Sequence, residues 1–295
     1  MIKGLAITPP VLGRLSIGRV VERAGKRIPE KDDQFTITSQ VQKKDGWVLH
    51  PLDEALRKSE NDKLRSIPVR MLFNDPLLNF RVEYSLFDRS NGRLVCSGNG
   101  EKCRRYVEGG MQELPCPSPD LCGFGKGSLC KPYGRLNVLI GDEDELGSFI
   151  FRTTGFNSIR TLSARLSYYR AVSGNLLSCL PLELKLRGKS TTQSHRSAIY
   201  YVDLTIREGM SLENAISEAK AIHDRRTQAG HDQVALEEAA KAGFANGAFE
   251  DSADEMPLVL DEFYSEESAL AGAPSPTEAG SSSLQEKLAQ KASGH

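Results

Sequence analysis

Five of the six cysteines in this 295-residue chain lie between positions 96 and 130, close enough in sequence to bind one metal ion together. Their spacing is Cys96-x6-Cys103-x12-Cys116-x5-Cys122-x7-Cys130. Thiolates suit zinc, and a structural zinc takes four ligands in a tetrahedron. The intervening "PCPSPDLCGFGKGSLC" is rich in proline and glycine, which favour short loops that can wrap around an ion. The pattern therefore predicts a structural Zn2+ site within residues 96–130.

Two other uses of these cysteines remain open at this point. An iron–sulfur cluster is also held by cysteine thiolates, and partly buried reduced thiols need no metal. No pair has the tight C-x2-C spacing, and no histidine lies within residues 96–130. A zinc with four thiolate ligands has no open coordination position, so we expect a structural rather than a catalytic metal. The sixth cysteine, Cys179, lies in the apolar "NLLSCLPL" and is predicted to be a core residue.

Three further motifs resemble catalytic or phosphate-binding sequences but lack essential parts. "GFGKGS" at 123–128 does not have the G-x4-G-K-[ST] spacing of a phosphate loop. "GDEDE" at 141–145 has no nearby histidines to complete a metallophosphatase site, so a solvated hairpin turn is expected. "IHDRR" at 222–226 reads as a surface helix. No nucleophile–base arrangement can be assembled, so we expect a protein that is not an enzyme, and a metal-dependent hydrolase is the least favoured function.

The charge distribution indicates a second functional surface. The net charge of the whole chain is −1, but residues 152–207 contain nine Lys or Arg and two acidic residues, 9 − 2 = +7. Aromatic residues are interleaved with these cations, and a nucleic-acid groove combines cations for phosphates with rings for bases. The alternative is a set of solvated faces on a mixed sheet. The predicted nucleic-acid or partner contacts are Arg152, Arg160, Arg165, Tyr168, Tyr169, Lys185, Arg187 and Lys189.

The elements that must position these residues are mostly strands. Short apolar segments predict strands near 13–38, 67–96, 134–154, 180–188 and 199–207, with 134–154 forming a hairpin. "FNSIRTLSARLSYYRAVSG" predicts one core helix, capped by Asn157 or Ser158 and ended by Gly174. We therefore expect an α+β fold, a small and mostly antiparallel β-barrel or sheet with a cysteine-rich metal knuckle. An oligonucleotide-binding barrel is one version of this plan.

The composition changes after Gly209, which predicts three regions. Residues 1–208 are the expected strand-rich core domain, and residues 209–250 are an expected helical extension with Ser211 as a cap. Residues 251–295 are an acidic and largely disordered tail. From 250 to 278 there are nine acidic residues and no basic one. Such a tail either masks a basic surface or keeps the chain soluble.

The sequence carries no segment expected to direct it to a membrane. Residues 1–18 lack the continuous apolar region of a signal peptide, and no apolar run approaches the length of a bilayer-spanning helix. We therefore expect a cytoplasmic protein with reduced thiols, a setting in which clustered cysteines favour metal binding over disulfides.

Several motifs, taken in order, resemble one family. They are "GRLSIGRVVERAGKRIPEKDDQFTIT", "RLVCSGNGEKC", "CKPYGRLNVLI", "GSFIFRTTGFNSIRTLSARLSYY" and "LPLELKLR", which together span about 12–207. This order is similar to that of the recombination directionality factor-like proteins of temperate phages and integrative elements. The acidic C-terminal extension lies outside the resemblance.

The resemblance implies an accessory protein of DNA recombination. The best-studied proteins of this type bind a large serine integrase and switch it from integration towards excision, so possible partners are a site-specific integrase and DNA. Related sequences are often described as hydrolases or metal-binding proteins, and only the second description has supporting residues here. The resemblance also implies the ligand set Cys96, Cys116, Cys122 and Cys130. Cys103 stands where the family pattern has a small residue, so Cys96 and Cys103 are alternatives for the fourth ligand.

A second function stays open beside the first. The interleaved basic and aromatic residues suit a single-stranded nucleic-acid-binding protein for replication or repair of the same element.

Overall fold

The structure is a computed structural model, in which runs of strands are separated by single helices and two helices follow the last strand. It describes residues 10–23, 26–43, 46–57, 59, 62–125, 129–142, 147–190, 198–245, 259–260 and 263–264.

Strands dominate the first two thirds of the part of the chain that the structure describes. The strands are β1 (Val11–Arg23), β2 (Lys26–Lys43), β3 (Gly46–Leu49), β4 (Ser66–Arg70), β5 (Phe80–Phe87), β6 (Leu94–Gly98), β7 (Lys102–Val107), β8 (Gly110–Pro115), β9 (Lys131–Ile140), β10 (Ser148–Thr153), β11 (Leu182–Ser190) and β12 (Ala198–Ile206). The helices are α1 (Pro51–Ala55), α2 (Pro76–Asn79), α3 (Ser118–Leu121), α4 (Phe156–Val172), α5 (Leu212–Gln228) and α6 (Gln233–Ala245), with a 3-10 turn at Leu177–Cys179.

These strands form one large open sheet. Its main path runs β3-β2-β1-β10-β9-β5-β6-β7-β8, and β4, β11 and β12 branch from β9. Neighbouring strands are antiparallel, apart from the parallel pair of β1 and β10. The α+β class and the antiparallel sheet are thus confirmed, and the barrel is wrong. A barrel requires its end strands to pair, whereas β3 and β8 lie at opposite ends of the path.

Helix α4 packs its apolar stripe on this sheet, as its sequence predicts. Ile159, Leu162 and Leu166 are buried at helical spacing, and Gly174 follows the helix with a left-handed φ of 67°. The predicted cap is wrong. Gly155 occupies the N-cap position, and the Ser158 hydroxyl instead accepts the backbone N–H of Val202 at 3.0 Å.

The two faces of the central sheet differ in character because side chains alternate along a strand. Leu136 on β9 and Phe151 on β10 point to the α4 side and are buried. Their strand neighbours Arg135 and Arg152 point to the opposite side, which we call the outer face. The sheet therefore presents an apolar face to the core and an arginine-bearing face away from it.

The helices after residue 209 pack on the strand core. The Ser211 hydroxyl accepts the backbone N–H of Asn214 at 3.1 Å, which confirms the predicted cap of α5. Ala215 and Ala219 of α5 are fully buried in the main core, and Ala240 of α6 is buried beside β9. The helical extension thus shares its packing with the predicted core domain.

An ion-pair network fastens α5 to the sheet. Arg70 donates to Asp142 at 2.5 Å, to the carbonyl of Cys179 at 2.6 Å and to Glu218 of α5 at 2.8 Å. Arg207 donates to both oxygens of Asp142, at 2.7 and 2.9 Å. The Arg207 and Arg70 guanidinium groups hold the pKa of Asp142 well below its usual range. Asp142 of "GDEDE" therefore has a structural role. The rest of the turn, 143–146, lies outside the described residues.

Four residues of the acidic tail are also described, and they pack against the sheet. Val259 and Phe263 are fully buried, while Leu260 and Tyr264 are half-buried. The predicted disorder of the remaining tail lies outside the described residues. None of the helices in the described part of the chain is both long and apolar enough to span a membrane.

Candidate functional site

The fold brings the five clustered cysteines to one end of the sheet. Cys96 is on β6, Cys103 is on the adjacent β7, and Cys116 directly follows β8. Cys122 follows α3, and Cys130 immediately precedes β9. Because β7 and β8 form a hairpin that returns the chain to β6, residues separated by twenty positions share a small apolar cluster. The sequence did not predict this hairpin.

Two glycines permit the close approach of the thiols. A Cβ atom on Gly98 would lie 2.7 Å from Cys103 Cβ and 3.0 Å from Cys116 Sγ. A Cβ atom on Gly125 would lie 2.7 Å from Cys130 Cβ. Any side chain at either position would push the cysteines apart, since such contacts are shorter than packed atoms adopt.

The electrostatics of the cluster differ from thiol to thiol. Burial raises the pKa of Cys103 to about 11, and its contact with Cys96 adds to the effect. Burial also raises the pKa of Cys130 to about 12, with the charge of neighbouring cysteines, first Cys96, adding to it. Burial opposes ionisation of Cys122 too, but two backbone N–H groups and the Arg105 guanidinium lower the pKa of this thiol. Of these three thiols, Cys122 is the one whose surroundings favour a negative charge.

The donor chemistry of the cluster suits a thiophilic cation, but a ligand geometry is not formed. Among the residues that the structure describes, no three His, Cys, Asp or Glu side chains are arranged to hold a metal ion. Instead, Arg105 Nη2 lies 3.7 Å from Cys122 Sγ and 3.9 Å from Cys103 Sγ. All six cysteines are free thiols, and Cys179 is confirmed as a core residue.

A second candidate surface lies on β11 and the neighbouring α4. Lys185, Arg187 and Lys189 alternate with the buried Leu184 and Leu186, so the three cations share the face of β11 that points away from the core. Arg165 of α4 reaches the same face. We call these four cations, Arg165, Lys185, Arg187 and Lys189, the basic strip.

Hydrogen bonds hold the basic strip in place. Asp203 of β12 accepts from Arg165 Nε at 3.1 Å and from Arg187 Nε at 3.4 Å. Lys189 Nζ donates to Asn157 Oδ1 at 2.7 Å, which ties the end of β11 to the start of α4. Lys185 Nζ donates to the buried Glu183 at 3.1 Å. The four cations and two carboxylates leave 4 − 2 = +2, so the strip is basic but partly neutralised.

The exposed side of α4 carries an aromatic and basic ridge beside this strip. Phe156, Arg160 and Tyr168 are spaced by four and eight residues, so they line one side of the helix. Phe156 is 63% exposed and Tyr168 is 49% exposed, and Arg160 between them is also exposed. The three side chains, which we call the α4 ridge, extend over about 18 Å of helix. Phe156 was not among the predicted contacts, although its four-residue spacing to Arg160 in the sequence indicates that the two share a helix side.

Two predicted contact residues lie elsewhere. Tyr169 is only 6% exposed and packs in the core, so its ring presents no face to a ligand.

Arg152 is on the outer face of the sheet, in register with Arg135, which is in turn in register with Arg81. Directly paired residues lie side by side, so these three form an arginine row across β10, β9 and β5. Glu83 lies 3.4 Å from Arg81 and 3.5 Å from Arg135.

The histidines have structural or peripheral positions where they are described. His50 Nδ1 accepts the backbone N–H of Leu52 at 3.2 Å and so caps α1. His223 and Asp224 are exposed on α5, as expected for a surface helix. His195 and the end of "GFGKGS" lie outside the described residues.

This chain matches the sequence pattern of a known protein family. The pattern of the Gp3-like family, described as recombination directionality factor-like, matches residues 12–207. The chain belongs to the recombination directionality factor-like family. No curated protein and no solved structure matches it significantly.

The matched residues of this recombination directionality factor-like chain contain both candidate surfaces. The cysteine cluster, the α4 ridge and the basic strip all lie within 12–207, whereas α5, α6 and the tail lie outside it. Both surfaces therefore belong to the part of the chain that defines the family.

Proposed function

We propose that this chain is an accessory protein of a phage or integrative element that binds a site-specific integrase and favours excision over integration. The family match over 12–207 carries this proposal. The protein performs no chemistry of its own and acts in the cytoplasm. It binds one integrase conformation or synaptic complex more tightly than the other, and this differential affinity shifts their populations.

The α4 ridge is the proposed integrase-binding surface. Interfaces concentrate their binding energy in a few aromatic and arginine side chains, and the ridge offers Phe156, Arg160 and Tyr168 on the exposed side of one helix. The helix beneath is rigid because its opposite face is buried in the core through Ile159, Leu162 and others. Binding therefore requires little reorganisation of the backbone.

Alanine variants of the ridge test this proposal. Phe156→Ala with Tyr168→Ala should weaken integrase binding by about 30-fold or more, since a hot-spot truncation costs about 2 kcal/mol or more. Thermal stability should change little, because both side chains are exposed. Val234→Ala is the control, since Val234 is 68% exposed on α6 outside the family region. Unchanged binding in the ridge variant, measured by surface plasmon resonance, would contradict the assignment.

We also propose that the cysteine cluster holds a structural Zn2+. The packing of Cys103 and Cys116 against Gly98, and of Cys122 and Cys130 against Gly125, supports it, as does the lowered pKa of Cys122. Cys96 lies in the same apolar cluster as Cys103 and Cys116. The proposed ligands are Cys96, Cys116, Cys122 and Cys130, with Cys103 as the alternative to Cys96. Bound zinc would replace Arg105 as the neutralising cation and fix the β7–β8 hairpin against β9.

Metal analysis of the purified protein tests the zinc proposal. We expect one zinc per chain, lost in Cys122→Ser and Cys130→Ser together with a lower melting temperature. Cys179→Ser is the control, because Cys179 lies in the main core and should not affect metal content. Iron in place of zinc would indicate a cluster. A metal-free wild-type protein with the same stability as its variants would refute the site.

Nucleic-acid binding is the second candidate function, and the basic strip favours it. Arg187 and Lys189 are exposed next to the α4 ridge, so cations and aromatic faces lie on neighbouring elements. A labelled single-stranded oligonucleotide should bind at low salt and dissociate as salt rises. Absence of binding at low salt would remove this function while leaving integrase binding untouched.

A further inference from the structure

Val259, Leu260, Phe263 and Tyr264 of the tail occupy a groove on the outer face of the sheet. Val259 and Phe263 are fully buried there, and they cluster with Phe87 of β5 and Tyr133 of β9. Tyr264 N donates to the carbonyl of Leu260 at 2.8 Å, which is the four-residue spacing of an α-helical hydrogen bond. A segment in a strongly acidic region thus buries its apolar residues as a core element would.

Aromatic packing and directed hydrogen bonds hold this segment. The ring centroids of Phe263 and Phe87 are 4.9 Å apart, and those of Phe263 and Tyr133 are 5.7 Å apart, all edge to face. Tyr264 Oη donates to the carbonyl of Phe87 at 2.6 Å, and Lys131 Nζ donates to the carbonyl of Phe263 at 3.2 Å. Edge-to-face ring pairs, together with hydrogen bonds from the polar ends of the side chains, make such a contact specific.

The groove is rimmed by positive charge. The Arg89 guanidinium lies 4.3 Å from the Tyr264 ring centroid. Burial lowers the pKa of Lys131, and the nearby charge of Arg89 lowers it further. The sequence around Phe263 and Tyr264, "DEFYSEE" at 261–267, has four acidic residues and no basic one.

The arginine row continues this positive character along the same face. Lys131, Tyr133 and Arg135 alternate on β9, so all three point to the outer face of the sheet. One end of that face therefore binds an aromatic pair, and the other end carries guanidinium groups. An acidic peptide with aromatic anchors complements both parts.

We propose that this groove, lined by Phe87, Arg89, Leu94, Lys131 and Tyr133, is a docking site for a short acidic helical segment of a partner protein. The segment carries an aliphatic residue followed four and five positions later by two aromatic residues. Val259, Phe263 and Tyr264 of this chain have that pattern and occupy the groove in cis. A partner segment must displace these residues. Their own affinity for the groove therefore sets how tightly a partner must bind in order to dock.

A peptide competition tests the docking site with the full-length chain. The probe is a fluorescent peptide of residues 257–268, PLVLDEFYSEES. It should bind Phe263→Ala/Tyr264→Ala protein at least about ten-fold more tightly than wild type, because removing the cis occupant raises the competent fraction. Adding Lys131→Glu to that variant should weaken binding again. Tyr106→Ala, at an exposed aromatic residue on β7, should match wild type.

A milder variant keeps the test decisive if the double alanine change disturbs folding. Tyr264→Phe removes only the hydroxyl that donates to Phe87, and it should give a smaller increase in peptide affinity. Equal peptide affinity for wild type and both variants would overturn the proposal. A gain in oligonucleotide affinity without a gain in peptide affinity would also overturn it, in favour of a masked nucleic-acid surface. No step uses an integrase, so the outcome is independent of the proposed function.

Discussion

Replacing Arg187 and Lys189 together by glutamine removes two exposed cations from the end of the basic strip. If both contact phosphates, each contributes about 0.9 to the slope of log affinity against log salt on duplex DNA, or about 1.8 together. Between 50 and 200 mM salt, a four-fold change, the wild type should lose about twelve-fold more affinity than the variant. On single strands the combined slope is about 1.4, which gives about seven-fold.

The fold should tolerate this change. Arg187 is half-exposed, and the buried Asp203 keeps its 3.1 Å hydrogen bond from Arg165 when Arg187 is replaced, so the loss should be about 1 kcal/mol. Lys189 loses one hydrogen bond to Asn157. The melting temperature should therefore fall by no more than a few degrees, about 2–4 °C for each kcal/mol in a chain of this size.

Fluorescence anisotropy with a labelled oligonucleotide at four salt concentrations measures the slope. The control is Lys220→Gln/Arg225→Gln, which removes the same charge from exposed positions on α5. A general effect of net charge would reduce affinity equally in both variants. Equal slopes for wild type, strip variant and control would refute phosphate contact by the strip.

Two stability predictions follow from the core. Gly134→Ala places a Cβ atom 2.7 Å from the Phe80 ring and should destabilise the protein by about 1–3 kcal/mol in urea unfolding, whereas Gly123→Ala meets no atom within 4 Å and should not. An equal cost for both glycines would contradict this packing. Because its arginine partners lower the pKa of Asp142, its contribution to stability is complete above the unfolded pKa of about 4 and is lost as pH falls through the lower folded value. The free energy of unfolding should therefore decrease below about pH 4, and it should decrease less in Asp142→Asn; the same acid loss in both proteins would contradict the assignment.

Local patterns predicted the elements with regular apolar spacing, but not the β7–β8 hairpin. The alternation in "GRLNVLIG" and "GSFIFRTT" predicts the antiparallel pair β9–β10, and the spacing of Ile159, Leu162 and Leu166 predicts α4. Both signals depend on neighbours within about one turn or one strand. The α4 cap was missed because the Ser158 hydroxyl is used by Val202, 44 residues away.

The sequence did not predict which distant strands pair with each other. Whether strands close into a barrel depends on which edges meet, and here β1 pairs in parallel with β10 after more than a hundred intervening residues. The arginine row has the same origin, because Arg81, Arg135 and Arg152 become neighbours only through the register of three strands. No spacing in the sequence connects them.

The candidate sites also differ in whether local sequence patterns could predict them. The cysteine cluster was predictable because its members are close in sequence, and the basic strip because Lys185, Arg187 and Lys189 alternate on one strand. The tail groove was not predictable. Val259 and Phe263 lie in a region whose acidic composition predicts disorder, and only the cavity beside Phe87 and Tyr133 explains their burial.

The most direct test of the account is a recombination assay with the purified chain and the integrase encoded by the same element. Excision and integration substrates are supplied in parallel, and products are measured with and without the full-length protein. The account predicts that the protein stimulates excision and inhibits integration, and that Phe156→Ala/Tyr168→Ala does neither. Integrase activity that is the same in both directions with and without the protein would contradict it.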